Sequence, residues 1–140
     1  MGVYKQGAGT MELSASTSCC TTGVFKIEAG TVRFPAKSAG RFGALQVTGD
    51  CTMDVARSAR IEFDAATEAW TAGKTLVLTG DIGPKSIRVG TDATGLSADQ
   101  LAQIKYRFGD GADDLASVGI DANGYLTCRY FHRGLVFVIE

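Results

Sequence analysis

Two carboxylates lie two residues apart in the segment 61–64, which reads Ile-Glu-Phe-Asp. Side chains two apart in a β-strand point to the same side, so Glu62 and Asp64 are expected to share one face. Paired carboxylates on one strand face would suit the acid–base chemistry of a β-helical polysaccharide hydrolase or lyase. Asp81 and Asp92 join them only if their turns fold back towards the pair. A solvated outer face explains these carboxylates equally well, and we predict no catalytic residue and no cofactor.

The only histidine is His132, in the segment 130–134. The chain has no Gly-x-Ser-x-Gly nucleophile elbow that would make His132 a partner in acyl transfer. We therefore interpret His132 as a turn residue.

Two acidic turns carry the oxygen ligands that calcium prefers. The first contains Asp110, Asp113 and Asp114, and the second is the segment 121–124, Asp-Ala-Asn-Gly. Neither has the ligand spacing of an EF-hand or of the Gly-Gly-x-Gly-x-Asp repeat. We therefore predict Asx turns and no metal site, with Asp110, Asp113 and Asp114 as the weak calcium candidates.

The four cysteines are Cys19, Cys20, Cys51 and Cys128. They form no Cys-x-x-Cys pair, and their spacing does not match a zinc site. Cys128 alternates with apolar neighbours and is predicted to face the core. In an exported protein one disulfide could join Cys51 to Cys19 or to Cys20, and the sequence does not choose between them.

Three aromatic residues stand near turns, namely Trp70, Tyr125 and Phe42. If their rings are exposed they offer surfaces on which sugars stack, and Trp70 and Tyr125 are the glycan candidates. The alternative is that each ring packs on the coil below.

A repeat of about twenty-one residues must position all of these side chains. Four segments share the pattern Thr, apolar, polar or neutral, apolar: Thr10-Met11-Glu12-Leu13, Thr31-Val32-Arg33-Phe34, Thr52-Met53-Asp54-Val55 and Thr75-Leu76-Val77-Leu78. Their threonines are 21, 21 and 23 residues apart. The alternation predicts strands with one buried face, and its regular restart predicts a parallel β-solenoid whose coils stack like side chains on like.

The repeat also predicts which side chains share a column. The expected inward residues are Met11, Val32, Met53 and Leu76 beside Leu13, Phe34, Val55 and Leu78, with Glu12, Arg33 and Asp54 outward. A second set of apolar-flanked triplets lies between them: Phe25-Lys26-Ile27, Leu45-Gln46-Val47, Ile61-Glu62-Phe63 and Ile87-Arg88-Val89. The outward charges alternate in sign, which neighbouring strands tolerate better than a stack of like charges.

The C-terminal third departs from the repeat. Ser97 and Gln100 form a capping box, which predicts a short helix over about 98–106. Asn123-Gly124 between two short apolar runs predicts a hairpin over about 116–131, and a final strand is expected at 135–139. We predict one all-β domain, with three to four solenoid coils over 4–91 and a cap over 92–140.

Length and charge limit the partners. The chain has 140 residues, with 14 Lys plus Arg against 15 Asp plus Glu. The interspersed signs disfavour nucleic acid, and no apolar run approaches the roughly 20 residues that insertion into a membrane requires. The first residues lack a signal peptide, and we expect an extracellular or cell-surface protein whose leader has been removed.

The segments from Lys5 to Ser14 and from Gly23 to Val32 resemble the autotransporter-associated β-strand repeat, and the segments from Leu96 to Tyr106 and from Ile120 to Leu126 resemble the C-terminal ends of large secreted proteins with such repeats, so the resemblance covers most of the chain. The residues that carry the likeness are Lys5-Gln6-Gly7-Ala8-Gly9-Thr10-Met11-Glu12-Leu13-Ser14 and, after a gap, Gly23 to Val32. The residues 16–22 replace the usual Asn-x-Tyr-x-Gly turn of that family. The resemblance implies a right-handed β-helix in a secreted passenger or surface protein, with a structural or adhesive role and no catalytic residues.

Three functions therefore compete. A non-enzymatic structural or adhesive solenoid segment is favoured, a carbohydrate-binding module is the alternative, and a polysaccharide hydrolase or lyase fragment is disfavoured. The expected partners are neighbouring coils or a second copy at the N-terminal solenoid edge, together with glycans or a host surface.

Overall fold

The computed structural model describes residues 3–13, 19–20, 23–66, 68–111 and 113–131, with the backbone alone described at 19–20. Its elements, in chain order, are β1 (Val3–Lys5), β2 (Thr10–Glu12), β3 (Cys19–Cys20), β4 (Phe25–Ile27), β5 (Thr31–Phe34), β6 (Ala39–Val47), β7 (Cys51–Val55), β8 (Arg60–Asp64), β9 (Leu76–Thr79), β10 (Ile87–Val89), α1 (Ala98–Ala102), β11 (Ile104–Arg107), β12 (Leu115–Ser117), β13 (Gly119–Ile120) and β14 (Leu126–Thr127).

The strands stack side by side in three columns, and the chain passes from one column to the next along each coil. The first column holds β1, β4 and the second half of β6. The second holds β2, β5, β7, β9, β11 and β12, and the third holds β3, the first half of β6, β8 and β10. All of these neighbours are parallel except β11 and β12. The chain is therefore a parallel β-solenoid of about three turns, and the predicted all-β solenoid fold is confirmed.

The second column has the register that the threonine repeat predicts over its first three coils. Met11 pairs with Val32, and Val32 pairs with Met53. Val32 and Met53 are fully buried, because the inward positions of successive coils stack directly on one another. On the outer side, Arg33 Nε lies 3.7 Å from Asp54 Oδ2, as the alternating charges predict.

The fourth coil is shifted by two residues from the predicted register. Leu78 pairs with Met53, where Leu76 was expected. The corner before β9 is longer, so that the paired residues Asp54 and Thr79 are 25 positions apart, whereas the paired residues Arg33 and Asp54 of the earlier coil are 21 apart. Because the side-chain period of a strand is two, this even shift leaves both leucines inward and buried.

The second set of triplets divides between two columns. Phe25–Ile27 stacks on residues 45–47 in the first column, whereas Ile61–Phe63 stacks on Ile87–Val89 in the third. The sequence pattern did not reveal the first half of β6, where Gly40 stands at an inward position opposite Ile61. The register of β6 against β8 shifts between Phe42 and Ala44, so the long strand serves two columns.

Four phenylalanines from all three columns meet in the interior. The ring centroid of Phe25 lies 6.3 Å from that of Phe34, 5.0 Å from Phe42 and 5.3 Å from Phe63. The edge-to-face geometry with Phe42 and Phe63 is the favoured arrangement of aromatic quadrupoles. These rings fill the core of the coils that carry the candidate site.

The helix is shorter than predicted. It spans Ala98–Ala102 with the expected capping box at Ser97, and the predicted extension to residue 106 is wrong. Ile104 and Tyr106 instead alternate inward in β11, which pairs in parallel with β9. Burial of these two side chains on one face of a strand is more favourable than continuation of the helix. The second column therefore continues past residue 91.

The predicted hairpin is present as β13 and β14, with Ile120 paired to Leu126. Gly124 N donates to Asp121 O across 3.1 Å, and Gly124 has φ +92°, a conformation that glycine adopts without a Cβ penalty. The predicted strand at 135–139 lies outside the described residues.

Candidate functional site

The outward surface of the third column alternates in charge. In β8, Ile61 and Phe63 point inward and are buried, so Glu62 points outward. The register places Arg41 on one side of Glu62 and Arg88 on the other. Arg41 Nε lies 3.9 Å from Glu62 Oε1, a weak ion pair at an exposed site. This stack forms one wall of a surface groove.

The groove lies where β8 and β10 end and has a volume of about 240 Å³. Parallel strands finish at the same side of a column, so the turns that follow them meet there. The lining includes three carboxylates and two guanidinium groups: Glu62, Asp64, Asp92, Arg41 and Arg88. The structure thus brings together three of the four carboxylates that the sequence suggested.

Asp81, the fourth carboxylate, does not line the groove. Its Oδ2 lies 3.8 Å from Arg57 Nε at the preceding corner. The corners do not fold Asp81 towards Glu62 and Asp64, because β9 and β10 carry the two ends of its turn to different columns.

Asp92 is held as a carboxylate by its own turn. Its Oδ1 accepts hydrogen bonds from Thr94 Oγ1 at 2.5 Å and from Thr94 N at 2.8 Å. These bonds stabilise the charged form and lower the pKa of Asp92 below its ordinary value. A general acid must hold a proton near neutral pH, so Asp92 is suited to accept hydrogen bonds and not to donate a proton.

Arg88 is fixed by the C-terminal hairpin. Its Nε donates to Asn123 O across 2.8 Å, and its guanidinium lies 5.2 Å from the ring centroid of Tyr125. Tyr125, one of the two glycan candidates, is half-buried against this guanidinium and lies beside the groove. The arrangement offers fixed donors next to carboxylate acceptors, which is suitable for hydroxyl-rich or mixed-charge ligands.

Trp70 and Phe42 bury their rings, so for these two residues the packing alternative holds and the sugar-stacking one does not. Trp70 is 9% exposed, and its indole Nε1 donates to Leu45 O across 2.8 Å. Thr71 N donates to Val47 O at 2.9 Å, so this segment covers the first column in place of a strand. Phe42 is 2% exposed within the aromatic core. Large aromatic side chains next to turns are buried here because each coil needs apolar volume at its corners.

The acidic turn between β11 and β12 is organised by its own hydrogen bonds. Asp114 Oδ2 accepts from Gly111 N, three residues earlier, at 3.0 Å, which is not the forward bond of the predicted Asx turn, and Arg107 Nη1 donates to Gly111 O at 2.7 Å. Asp110 and Asp113 are exposed. Within the described ranges, no group of three or more His, Cys, Asp or Glu side chains could hold a metal ion. In the second turn Asp121 Oδ1 accepts from Asn123 N and Tyr125 N.

Cys51 is a free, buried thiol in β7, so the structure contradicts a disulfide at this residue. Burial, and then the charge of Asp50, raise the pKa of Cys51 to about 12. Cys51 faces inward in the second column, whereas Cys19 and Cys20 pair with β6 in the third. Cys128 is half-buried and free. The side chains of Cys19 and Cys20, and all of His132, lie outside the described residues.

Sequence reasoning missed the two arginines of the groove. Arg88 could have been placed beside Glu62 from the sequence, because both are the outward residues of apolar-flanked triplets. No sequence pattern indicated Arg41, because its inward neighbour is Gly40, which interrupts the apolar alternation typical of a strand. Their stacking on Glu62 follows from a register that only the structure fixes.

Comparison with protein-family models, with curated proteins and with solved structures gives no match for this chain. The fold agrees with the solenoid that the autotransporter-associated repeat implies, and no family model assigns that repeat. In the part of the chain that the structure describes, no helix has the length and apolar character needed to cross a membrane.

Proposed function

We propose that this chain is a non-enzymatic structural or adhesive segment that forms the closed end of a β-solenoid in a secreted or cell-surface protein. The observation that supports this role is an asymmetry between the two ends. Among the described residues, the first and third columns are covered at the C-terminal end and the second ends in an antiparallel strand, while β1, β2 and β3 are the outermost strands at the other end.

The helix closes the first column. Gln100 Nε2 donates to Ala66 O at 3.3 Å and to Glu68 O at 3.2 Å. Gln103 Nε2 donates to Thr71 O at 2.8 Å and to Lys74 O at 3.0 Å. Two glutamine side chains therefore satisfy backbone carbonyls of the segment that would otherwise receive the next coil.

An antiparallel strand ends the second column, and a hairpin covers the third. β12 reverses direction on β11, which stops parallel stacking in the second column. In the third column Val89 N donates to Gly124 O at 2.8 Å, and Tyr125 bridges to Arg88. A solenoid needs such caps, because an uncovered final coil exposes apolar side chains and unpaired backbone groups.

A coil insertion tests the structural role. Thr31 and Thr52 occupy equivalent positions, so a second copy of residues 31–51 placed after Cys51 continues the register. We expect a folded protein lengthened by about 4.8 Å, one strand spacing, and melting no lower than wild type. X-ray scattering and thermal denaturation measure both effects.

A matched insertion provides the control. The same copy with Val32, Phe34, Leu45 and Val47 changed to Ser lacks the inward residues and should melt well below wild type. If the unaltered copy destabilises the protein as much as this control, the chain does not behave as an extendable solenoid and the structural role fails.

The charged groove supports glycan binding as a second candidate function. It contains the carboxylate of Asp64, whose side chain has no hydrogen bond or ion pair with the described residues, together with Arg88, whose Nε is held by Asn123 O. A glycan array would detect such binding, with Asp64→Ala expected to weaken it and the distant Asp110→Ala expected to leave it unchanged. Release of reducing ends from any bound glycan would instead indicate an enzyme.

A further inference from the structure

The C-terminal hairpin is attached to β10 through the backbone of its turn. Val89 N donates to Gly124 O at 2.8 Å, and Arg88 Nε donates to Asn123 O at 2.8 Å. Arg88 and Tyr125 face each other as an antiparallel pair beside these bonds. The carbonyl oxygens of two consecutive residues, Asn123 and Gly124, therefore hold the cover of the third column in place.

The contact with β10 requires a glycine at position 124. A Cβ there would lie 2.9 Å from Val89 O and 2.9 Å from Gly90 O, and the φ of +92° favours glycine. Asn123, in contrast, is exposed, and it is the only asparagine of the chain. The close approach of the hairpin to β10 thus places a glycine directly after an exposed carboxamide.

An Asn-Gly sequence is able to convert itself, because no Cβ on the glycine hinders its nitrogen. Gly124 N attacks Asn123 Cγ, the new C–N bond closes a succinimide ring, and the Cγ–Nδ2 bond breaks as ammonia leaves with the proton of Gly124 N. Water then opens the ring at either carbonyl. One product is aspartate at position 123, and the other is isoaspartate, in which the main chain runs through Cβ and Cγ. The reaction consumes one water and releases one ammonia without a change of oxidation state.

The attached hairpin opposes this reaction. Gly124 N donates to Asp121 O at 3.1 Å, and Asn123 N donates to Asp121 Oδ1 at 2.8 Å, so the nitrogens on both sides of the asparagine are held in the turn. Attack on Cγ requires Gly124 N to leave its acceptor and the peptide plane to rotate, which moves Asn123 O away from Arg88. Ring closure therefore occurs in the locally opened hairpin, and its rate follows the open fraction.

We propose that Asn123 is a self-modification site, that lifting of the hairpin limits its conversion, and that the isoaspartate product detaches the hairpin from β10. Isoaspartate lengthens the main chain by one methylene immediately before Gly124, so Gly124 O and Tyr125 lose their register on Val89 and Arg88. The aspartate product keeps the length of the turn and leaves the hairpin attached. The proposal rests on the structural role proposed above, because it concerns the cover of the third column.

A disulfide between Arg88→Cys and Tyr125→Cys tests the role of the hairpin within one polypeptide. The pair flanks the bond from Val89 N to Gly124 O and is non-hydrogen-bonded, so its Cα atoms lie about 4.5 Å apart, within the range of a disulfide. The native cysteines are replaced by Ala, the whole chain is aged in mildly alkaline buffer, and peptide mapping by mass spectrometry measures conversion. The reduced form should convert Asn123 roughly tenfold or more faster than the oxidised form, whose hairpin cannot lift.

Single variants with the native cysteines complete the test. Arg88→Ala should convert Asn123 faster than the wild type at a temperature where circular dichroism shows both to be folded. Arg33→Ala, on the outward side of β5, should convert at the wild-type rate. The isoaspartate product should exchange the amide hydrogen of Val89 faster than the unmodified chain, whereas Asn123→Asp should not.

Four results would overturn the proposal. These are equal conversion in the oxidised and reduced forms, equal conversion in Arg88→Ala and Arg33→Ala, no conversion at position 123 in any variant, and unchanged exchange at Val89 in the isoaspartate product. A chain that gives one of these results and still accepts the inserted coil keeps the structural role and loses the modification site. The two proposals can therefore fail separately.

Discussion

Phe34 and Arg33 are neighbours in β5 that lie in opposite environments. Phe34 is fully buried among aromatic rings, while Arg33 makes an outward ion pair with Asp54. We expect Phe34→Ala to lower the free energy of unfolding by about 3–5 kcal/mol through lost burial and a cavity. Arg33→Ala should lower it by less than about 1 kcal/mol, because exposed ion pairs contribute little. Urea denaturation measures both, and equal losses would contradict the register of the second column.

The buried thiol of Cys51 gives a second prediction at the residue scale. Its folded pKa is about 12, above the ordinary value of 9.0. Between these values the unfolded chain loses the proton first, so this contribution to stability is complete below pH 9 and is lost as pH rises. Relative to Cys51→Ala, the wild-type protein should lose about 1.4 kcal/mol between pH 8 and pH 10. A pH-independent difference between the two proteins would show that the thiol is not buried.

At the scale of elements, the sequence predicted best where side-chain pattern alone decides structure. The Thr-apolar repeat correctly predicts β2, β5 and β7 and their mutual register, and the capping box at Ser97 correctly predicts where the helix begins. The repeat cannot predict the longer corner before β9, because a loop of different length leaves the alternation unchanged. The end of the helix was also missed, since Ile104 and Tyr106 fit either period until β9 is placed beside them.

The groove was predictable only in part, because residue spacing fixes the faces of its strands but not the paths of its turns. The strand face shared by Glu62 and Asp64 follows from residue spacing, whereas Asp92 reaches it through a turn whose path the sequence does not specify. The sequence left the Trp70 ring either exposed or packed, because the indole hydrogen bond to Leu45 O joins residues 25 positions apart.

Gln100 joins the helix to the coil beneath it, and its replacement tests that closure. It is 9% exposed, it completes the capping box, and its amide bonds two carbonyls of the corner. We expect Gln100→Ala to lower the free energy of unfolding by roughly 1–3 kcal/mol, because buried acceptors lose their donor. Asp99→Asn, on the exposed side of the same helix, should cost less than about 1 kcal/mol. Similar thermal melts for the two variants would mean that the helix does not close the first column.

At the scale of the whole molecule, stability should depend on which end is removed. In a solenoid each coil contacts only its neighbours, so loss of a terminal coil removes one interface and leaves the others intact. Deletion of residues 1–22 removes β1, β2 and β3, and β4 and β5 become the new edge. We expect this variant to keep its β-sheet circular dichroism and to melt at a lower temperature than wild type.

Deletion of residues 97–140 should have a different result. It removes the helix, β11, the antiparallel strand β12 and the hairpin together, and it uncovers the inward side chains of β9 and β10, which are fully buried in the intact chain. Two uncapped columns with exposed apolar side chains form a surface that recruits other strands, so we expect aggregation detectable by light scattering. A soluble, folded product of this deletion together with an unfolded product of the N-terminal deletion would reverse the assignment of the closed and open ends.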